Sequence, residues 1–224
     1  MKNRTRALSL IAVVVCLSVS AAAQFGGPPR IPGMRGVWAP VVGAGSAYQM
    51  EGGRMGKMQI EYAVVGTEAV AGKPGHWLEM TTKGDQGLMV MKTLMVADGA
   101  TMQSKRMIMQ QGDDEPMEFP MEMMARMGGG GGGPREQVTD IRKDAEVVGT
   151  EEITVPAGKF TCTHLKTKDG ADVWVSDKVA PYGLVKMTSK EANMTLLKVM
   201  TDAKTKIRGT PRVFDPAEMM RQRP

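Results

Sequence analysis

Residues Glu152–Met187, EITVPAGKFTCTHLKTKDGADVWVSDKVAPYGLVKM, decide the fold of this chain. Three turn signals divide the stretch, Pro156-Ala157-Gly158, Asp169-Gly170 and Pro181-Tyr182-Gly183, because proline fixes φ and glycine permits a positive φ. Between these turns the residue types alternate, as they do along strands whose two faces have different surroundings. The stretch therefore predicts four short antiparallel strands, with a tight hairpin at the Asp-Gly turn.

The same alternation recurs in the rest of the chain. In Lys57–Tyr62, apolar residues occupy one face and polar residues the other, which is typical of a sheet with one solvated side. We expect a mainly β, mostly antiparallel fold of about eight to ten strands, with one or two short helices as a lid or tail. The further predicted extended segments are Val37–Val42, Ala47–Glu51, Gly75–Thr82, Gly87–Val96, Thr101–Gln111 and Asn193–Met200.

The first 23 residues have the pattern of a signal peptide. Three basic residues lie within the first six positions, and they are followed by the apolar run Ala7–Val19 and by Ala21-Ala22-Ala23. The apolar run is too short for a membrane span, which needs about 20 such residues. We therefore predict a periplasmic or secreted protein that is cleaved near Ala23, whose mature chain has no transmembrane segment.

The charge balance argues against a nucleic-acid partner. The chain has 29 Lys and Arg against 24 Asp and Glu, and the leader holds three of the bases and no acid. The mature chain is therefore close to neutral, with 26 basic against 24 acidic residues, and its basic residues are scattered. A surface that binds nucleic acid would need those positive charges to be clustered.

Composition and length divide the mature chain into an arm, one domain and a tail. About 200 residues can bury a single core, and we expect a monomer. The tail is predicted to contain a short helix, because Asp215-Pro216 has the sequence of a helix start. The predicted ranges are a Pro/Gly-rich arm at 24–36, a β domain at 37–207 that includes a Met-rich segment at 102–127 and a glycine linker at 128–134, and the tail at 208–224.

Residue types that usually carry catalysis or bind metals are scarce. After the leader, Cys162 is the only cysteine, and the chain has two histidines, His76 and His164. Cys162 and His164 share one face of a predicted strand, but a zinc-type site needs three or four ligands and His76 is remote in sequence. The glycine run at 128–133 is followed by Pro134 instead of the Lys-Ser/Thr pair of a phosphate loop. We predict a buried, unreactive Cys162, no cofactor and no enzymatic activity.

Methionine is the strongest compositional bias, with 22 methionines against four phenylalanines. They are frequent in Met102–Met127, where Pro120 can start a short helix that Gly128 would end. Three interpretations remain open: the methionines fill a core with few aromatics, they form a mobile lid over an apolar groove, or they capture a soft metal such as Cu(I). The metal interpretation would use Met107, Met109, Met121, Met123, Met124 and Met127.

Two short motifs carry a resemblance to a known family. Val155–Phe160, VPAGKF, and Val173–Ser176, VWVS, resemble the pattern of uncharacterised exported bacterial proteins of the lipoprotein-carrier-like (LolA-like) superfamily. The resemblance covers roughly residues 145–200. It implies a strongly curved antiparallel sheet, an incomplete barrel, whose concave face holds acyl chains under a helical lid.

Together these inferences predict an exported binding protein without catalysis. Its ligand would be apolar, a lipid or a lipidated protein, and each buried CH₂ would contribute about 0.8 kcal/mol. The alternatives are a periplasmic soft-metal binder that uses the Met-rich segment, and a structural envelope module without a small ligand. The predicted groove and lid residues are Trp77, Met80, Met89, Met91, Met121, Met123, Met124, Met127 and Trp174.

Overall fold

Thirteen strands and very little helix make up the part of the chain that the computed structural model describes, residues 36–52, 56–84, 87–119, 121, 137–138 and 140–215. A short 3₁₀ helix, Ile141–Lys143, precedes the eighth strand. In chain order the strands are β1 (Gly45–Glu51), β2 (Lys57–Val70), β3 (Lys73–Gly84), β4 (Gly87–Asp98), β5 (Thr101–Gln111), β6 (Met117–Phe119), β7 (Gln137–Val138), β8 (Glu146–Val155), β9 (Gly158–Lys166), β10 (Asp172–Val175), β11 (Leu184–Thr188), β12 (Asn193–Met200) and β13 (Arg212–Val213).

All thirteen strands belong to one sheet, which is curved and open instead of closed into a barrel. From edge to edge the order is β13-β6-β5-β4-β3-β2-β1-β12-β11-β10-β9-β8, and β7 pairs with β5. Neighbouring strands in this order run antiparallel, except that β13 is parallel to β6. The predicted fold class, a mainly β curved sheet that is not fully closed, is confirmed.

The predicted turns fall where the chain reverses. β8 and β9 form a tight hairpin in which Val155 pairs with Gly158. Between β9 and β10 the Gly170 amide donates to the Thr167 carbonyl at 2.9 Å, and Gly170 has a φ of +84°, a conformation that favours glycine. Pro181-Tyr182-Gly183 lies between β10 and β11. The four-stranded meander is therefore present in the structure.

One predicted extended segment is not a strand. In Val37–Val42 the one β-bridge among the described residues is an isolated bridge between Val37 and Asp140, which lies outside the strands of the sheet. The amides of Val37 and Ala39 donate instead to carbonyls of the β10–β11 loop, at 2.7 and 2.8 Å. Pro40 has no amide hydrogen and so interrupts any ladder that this segment could form.

The strand count also exceeds the predicted eight to ten. β6, β7 and β13 are only two or three residues long, too short for alternation to be recognised. β2 and β3 extend further toward each other than predicted and meet at Ala71-Gly72, where both residues have positive φ. This Ala-Gly turn has no proline, asparagine or aspartate to signal it.

Cross-strand register defines two surfaces on strands β1 to β6, because directly paired residues share one face of a sheet. We call one surface the methionine face; the other, the tryptophan face, carries Trp77, which pairs with Leu94. One row of paired residues on the methionine face is formed, from β1 to β6, by Ser46, Tyr62, Met80, Met91, Met109 and Met117.

Three buried tyrosines fill the methionine face over β1 and β2. Tyr48, Tyr62 and Tyr182 are at most 5% exposed. Ring centroids are 6.2 Å apart for Tyr48 and Tyr62, and 6.0 Å apart for Tyr62 and Tyr182. The Tyr48 hydroxyl donates to the Leu184 carbonyl at 2.9 Å. Because Tyr182 belongs to the β10–β11 loop, this aromatic cluster holds that loop against the sheet.

The opposite surface is covered by residues 203–214, which we call the strap. Ile207 of the strap packs on a buried cluster formed by Trp77, Leu94 and Ile108 of β3, β4 and β5. Beyond it the strap forms β13, which pairs with β6 at the edge of the sheet. The predicted tail beginning at residue 208 is therefore, up to residue 214, packed on the sheet.

Two buried polar side chains fix the strap. Glu79, only 2% exposed, accepts from the Thr205 hydroxyl at 2.6 Å and from the Lys206 amide at 2.9 Å. Gln110, 4% exposed, accepts from the Arg208 amide at 2.8 Å and donates to the Arg208 carbonyl at 3.1 Å. These side chains supply hydrogen bonds that a strand would otherwise provide.

Strand β8 forms one edge of the sheet. Val147 and Val148 are 60% and 52% exposed, and the register with β9 shifts between Val147 and Gly149. Glu151 and Glu152 lie exposed further along the strand. A bulge and charged side chains are features that hinder an edge strand from pairing with another chain.

Candidate functional site

Methionines form two in-register rows on the methionine face. Such side chains are flexible and polarisable, so they fill irregular spaces between strands. One row consists of Met80, Met91, Met109 and Met117 on β3 to β6. The other consists of Met58, Met50, Met194 and Met187 on β2, β1, β12 and β11.

The first row passes from the buried core to a partly exposed surface. Met80 is 4% exposed, whereas Met91, Met109 and Met117 are half-buried. The second row stays mostly in the core, since Met50 is 2% exposed. We call the half-buried apolar residues that β4, β5 and β6 place on the methionine face the methionine patch: Met89, Met91, Met107, Met109, Met117 and Phe119.

An aromatic pair closes one edge of the methionine patch. The rings of Phe119 and Phe214 are stacked, with centroids 5.1 Å apart and an interplanar angle of 26°. The Phe214 amide donates to the Glu118 carbonyl at 2.9 Å, which continues the parallel pairing of β13 with β6. The end of the strap thus reaches the rim of the patch.

The structure brings together several residues that the sequence predicted for different sites. Met80, Met89 and Met91, predicted for the groove, lie on the same face as Met107 and Met109, predicted for the metal alternative. Met121, half-buried, follows β6 closely. The remaining predicted lid and metal residues, Met123, Met124 and Met127, lie outside the described residues, as do the glycine linker and Pro216 of the predicted tail helix.

Trp77, also predicted for the groove, lies on the tryptophan face. Its indole N–H donates to Glu68 at 3.2 Å, and the Arg106 guanidinium and the Lys92 ammonium lie 5.2 and 4.9 Å from its ring centroid. Arg106 also donates to Glu118 at 2.6 and 2.8 Å and to Glu68 at 2.8 and 3.1 Å. The hydrogen bonds from Arg106 hold the pKa of Glu118 below its usual range.

Replacing Arg106 by alanine is expected to lower the free energy of unfolding by about 1–2 kcal/mol. The substitution removes two carboxylate partners and the cation above Trp77, but partial exposure of the arginine screens the ion pairs. Urea denaturation followed by circular dichroism measures the change. Lys73→Ala is the control, because its ion pair with Asp98 is exposed on both sides; an equal loss in the two variants would contradict the prediction.

Trp174, the second predicted groove tryptophan, belongs to a separate cluster on β8 to β11. His164 stacks on it at 4.5 Å between ring centroids, and Lys186 lies 5.0 Å from its centroid. The His164 nitrogens face Glu151 at 2.8 Å and Asp172 at 2.9 Å. Hydrogen bonds from Trp174 and then from His164 hold the pKa of Glu151 below its usual range. With both nitrogens engaged, the imidazole has none free for a metal or substrate.

Cys162 has the environment of a structural thiol. Its side chain is 1% exposed, and burial raises the pKa of the thiol to about 11. A thiol with so high a pKa carries little thiolate at neutral pH, and the thiolate is the reactive form. The predicted burial of Cys162 is therefore observed.

Three aromatic or methionine residues of the patch rim were not predicted: Met117, Phe119 and Phe214. Met117 and Phe119 alternate with Glu118, but a three-residue strand gives too little pattern to recognise. Phe214 follows a Pro-Arg-Val sequence that gives no strand signal. Only the pairing of β13 with β6 brings it to the patch.

Few other candidate binding sites are found among the described residues besides the methionine patch. Among them, no group of three or more His, Cys, Asp or Glu side chains is arranged to hold a metal ion. An open cleft of about 400 Å³ lies between the β5–β6 turn and the strap, and one of about 530 Å³ lies beside the β9–β10 turn, neither including a patch residue. Within the same residues, no helix is long and apolar enough to cross a bilayer.

The chain is similar to two solved structures at low sequence identity. A candidate lipoprotein from Parabacteroides distasonis is 14% identical, with a TM-score of 0.37 and coverage of 74% of this chain and 99% of that chain. A candidate exported protein with a YmcC-like fold from Bacteroides fragilis is 11% identical, with a TM-score of 0.35 and the same coverage. No protein-family model and no curated protein matches the chain. The lipoprotein-carrier-like resemblance stays a prediction.

Proposed function

We propose that this protein is an exported, non-catalytic binding protein that holds an apolar ligand, a lipid chain or the lipid of a lipidated protein, on the methionine patch. The observation that carries the proposal is the half-buried row of Met91, Met109 and Met117, which continues a buried row. No charged residue interrupts the row from β1 to β6, and Arg212 of β13 pairs with Met117 at its end. Apolar surface that is contiguous and incompletely covered is typical of ligand-binding surfaces.

The architecture supports this proposal in a second way. In the described residues the strands form a single open sheet, so no second sheet packs on the methionine face. An acyl chain lying along the row would bury methylene groups against thioethers and Phe119. Four such groups would contribute about 3 kcal/mol before any headgroup contact. Flexible methionines would adapt to chains of different shape.

The test is to measure binding of a fluorescent long-chain fatty acid to the purified protein and to a Met109→Lys variant. Met109 lies at the centre of the row, so a charged group there would have to be desolvated by the ligand. We expect the dissociation constant to rise at least about tenfold, which corresponds to about 1.4 kcal/mol. Native mass spectrometry of the protein purified without detergent should show co-purifying lipid masses in the original protein.

Val147→Lys is the matched control, because it also replaces an apolar strand residue by lysine, at a position that is 60% exposed and on the far edge of the sheet. This variant should bind the fatty acid as the original protein does. Equal affinity of all three proteins, or no binding by any of them, would refute the proposal. The second result would favour a structural envelope module.

A further inference from the structure

Three sulfur-bearing side chains lie side by side at the exposed end of the methionine row. Met91 of β4 pairs directly with Met109 of β5, and Met109 pairs directly with Met117 of β6. All three are half-buried, so solvent reaches this end of the row. Met89 and Met107 flank it on the same face, two residues away along β4 and β5.

The register permits three thioethers to meet at one point. Directly paired residues on neighbouring antiparallel strands have Cβ atoms about 4.5–5.5 Å apart. Each methionine sulfur is one methylene beyond Cβ, on freely rotating bonds, and can swing toward the central strand. An ion above Met109 could therefore be reached from both sides, at the roughly 2.3 Å that is usual for metal–sulfur bonds.

The donor set selects the chemistry of the ion. Thioether sulfur is a soft, uncharged ligand that favours Cu(I) over Ca²⁺, Mg²⁺ or Zn²⁺, which take oxygen, nitrogen or thiolate ligands. The other residues paired with this part of the face are Thr82 and Gln111 opposite Met89, Thr93 and Phe119 opposite Met107, and Arg212 opposite Met117. Arg212 is charged and donates to Glu115 at 3.2 Å, but none of the paired residues is a carboxylate that would favour a hard cation.

We infer that the thioethers of Met91, Met109 and Met117 form a binding site for one soft monovalent cation of the Cu(I) class. The inference goes beyond the binding of an apolar ligand and does not depend on it. It shares Met109 with the metal site predicted from the sequence, but that site combined Met107 and Met109 of β5 with methionines that follow β6 and did not include Met91 or Met117. Cross-strand register, which sequence spacing does not reveal, assembles this site.

Silver(I) is a suitable probe, since it is a soft monovalent cation that does not change oxidation state in buffer. Titration of the purified protein in chloride-free buffer, followed by native mass spectrometry and calorimetry, should show one tightly bound Ag(I). A variant with Met91, Met109 and Met117 all replaced by leucine should lose that ion. Leucine preserves apolar volume and therefore the packing of the sheet. Ag(I) binding is judged on this triple variant and fatty-acid binding on Met109→Lys, so the two proposals can fail separately.

Met194→Leu is the control, because Met194 belongs to the second row and is 2% exposed. It should retain Ag(I) with unchanged affinity. If the triple variant does not fold, methyl-labelled methionine NMR of the original protein gives the same answer: Ag(I) should shift the ε-methyl signals of the three row residues. Retention of Ag(I) by the folded triple variant, or shifts confined to other methionines, would overturn the inference.

Discussion

Raising the pH above about 10 is expected to unfold the protein cooperatively, with stability falling by up to about 4 kcal/mol per pH unit. The cause is the cluster of Tyr48, Tyr62 and Tyr182 on the methionine face. Burial raises the pKa of each phenol well above its ordinary value of 10.0. These three are the only tyrosines in the chain, so every phenol contributes to the effect.

The sign follows from proton binding in the two states. Above pH 10 the unfolded chain releases its phenolic protons while the folded protein retains them, so the folded state binds more protons. Stability is therefore fully present below the unfolded pKa and is lost as the pH rises toward the raised folded values. Each phenol that keeps its proton only in the folded state lowers the free energy of unfolding by at most about 1.4 kcal/mol per pH unit. Three such phenols lower it by about three times as much.

Circular dichroism and tyrosinate absorbance, recorded together during alkaline titration, measure this effect. Both signals should change in one steep transition. Tyr182→Phe should reduce the pH dependence of stability by about a third, whatever its effect on stability at neutral pH, because lysine deprotonation is common to both proteins. Gradual tyrosinate absorbance near pH 10 with an unchanged circular dichroism spectrum would show that the phenols titrate in the folded state and would contradict the prediction.

The second large effect is expected at Glu79, where alanine should lower the free energy of unfolding by about 2–4 kcal/mol. The buried carboxylate accepts hydrogen bonds from Thr205 and from the Lys206 amide, and alanine would leave both donors without their acceptor. Loss of this anchor should also weaken the contact of Ile207 with the Trp77 cluster. Glu79→Gln keeps one acceptor oxygen. Its free energy of unfolding should therefore lie between that of the original protein and that of the alanine variant.

Urea denaturation gives the stability change, and hydrogen exchange of residues 203–214 reports whether the strap detaches. Exchange there should accelerate more than in β9 to β11, which lie beyond β1 and β12 in the order of the sheet. Glu61→Ala is the matched control, since Glu61 also bonds Lys206 of the strap but is 38% exposed. The Glu61→Ala substitution should lower the free energy of unfolding by less than about 1 kcal/mol. A similar loss in both variants would mean that Glu79 does not anchor the strap through buried hydrogen bonds.

Local signals in the sequence predicted the meander because turn residues and alternation act over only a few residues. Gly158 and Gly170 both have positive φ in the structure, as the turns required. The same reasoning failed at Val37–Val42, where extended sequence binds a loop that is more than 130 residues away. Alternation reports that a segment is extended, but it does not report what the extended backbone pairs with.

Prediction of the candidate site was limited for the same physical reason. Alternation showed that Met89 and Met91 share a face, but only register between strands places Met109 and Met117 beside them. Alternation also places Trp77 and Met80, which are three residues apart on β3, on opposite faces, so assigning both to one groove was inconsistent with it. Odd and even separations along one strand decide the face, yet which face is open depends on what packs there.

The position of β12 between β1 and β11 has a consequence for how the chain folds. Strands β1 to β6 form one meander and β8 to β12 another, and each consists of hairpins between neighbours in sequence. Among the described strands, the two meanders are joined within the sheet by the pairing of β1 with β12, whose residues are about 150 positions apart. Closing so long a loop is slow compared with forming a hairpin. Until β12 forms, one edge of β1 therefore has unpaired backbone amides and carbonyls. Each of the two meanders must avoid aggregation during that time.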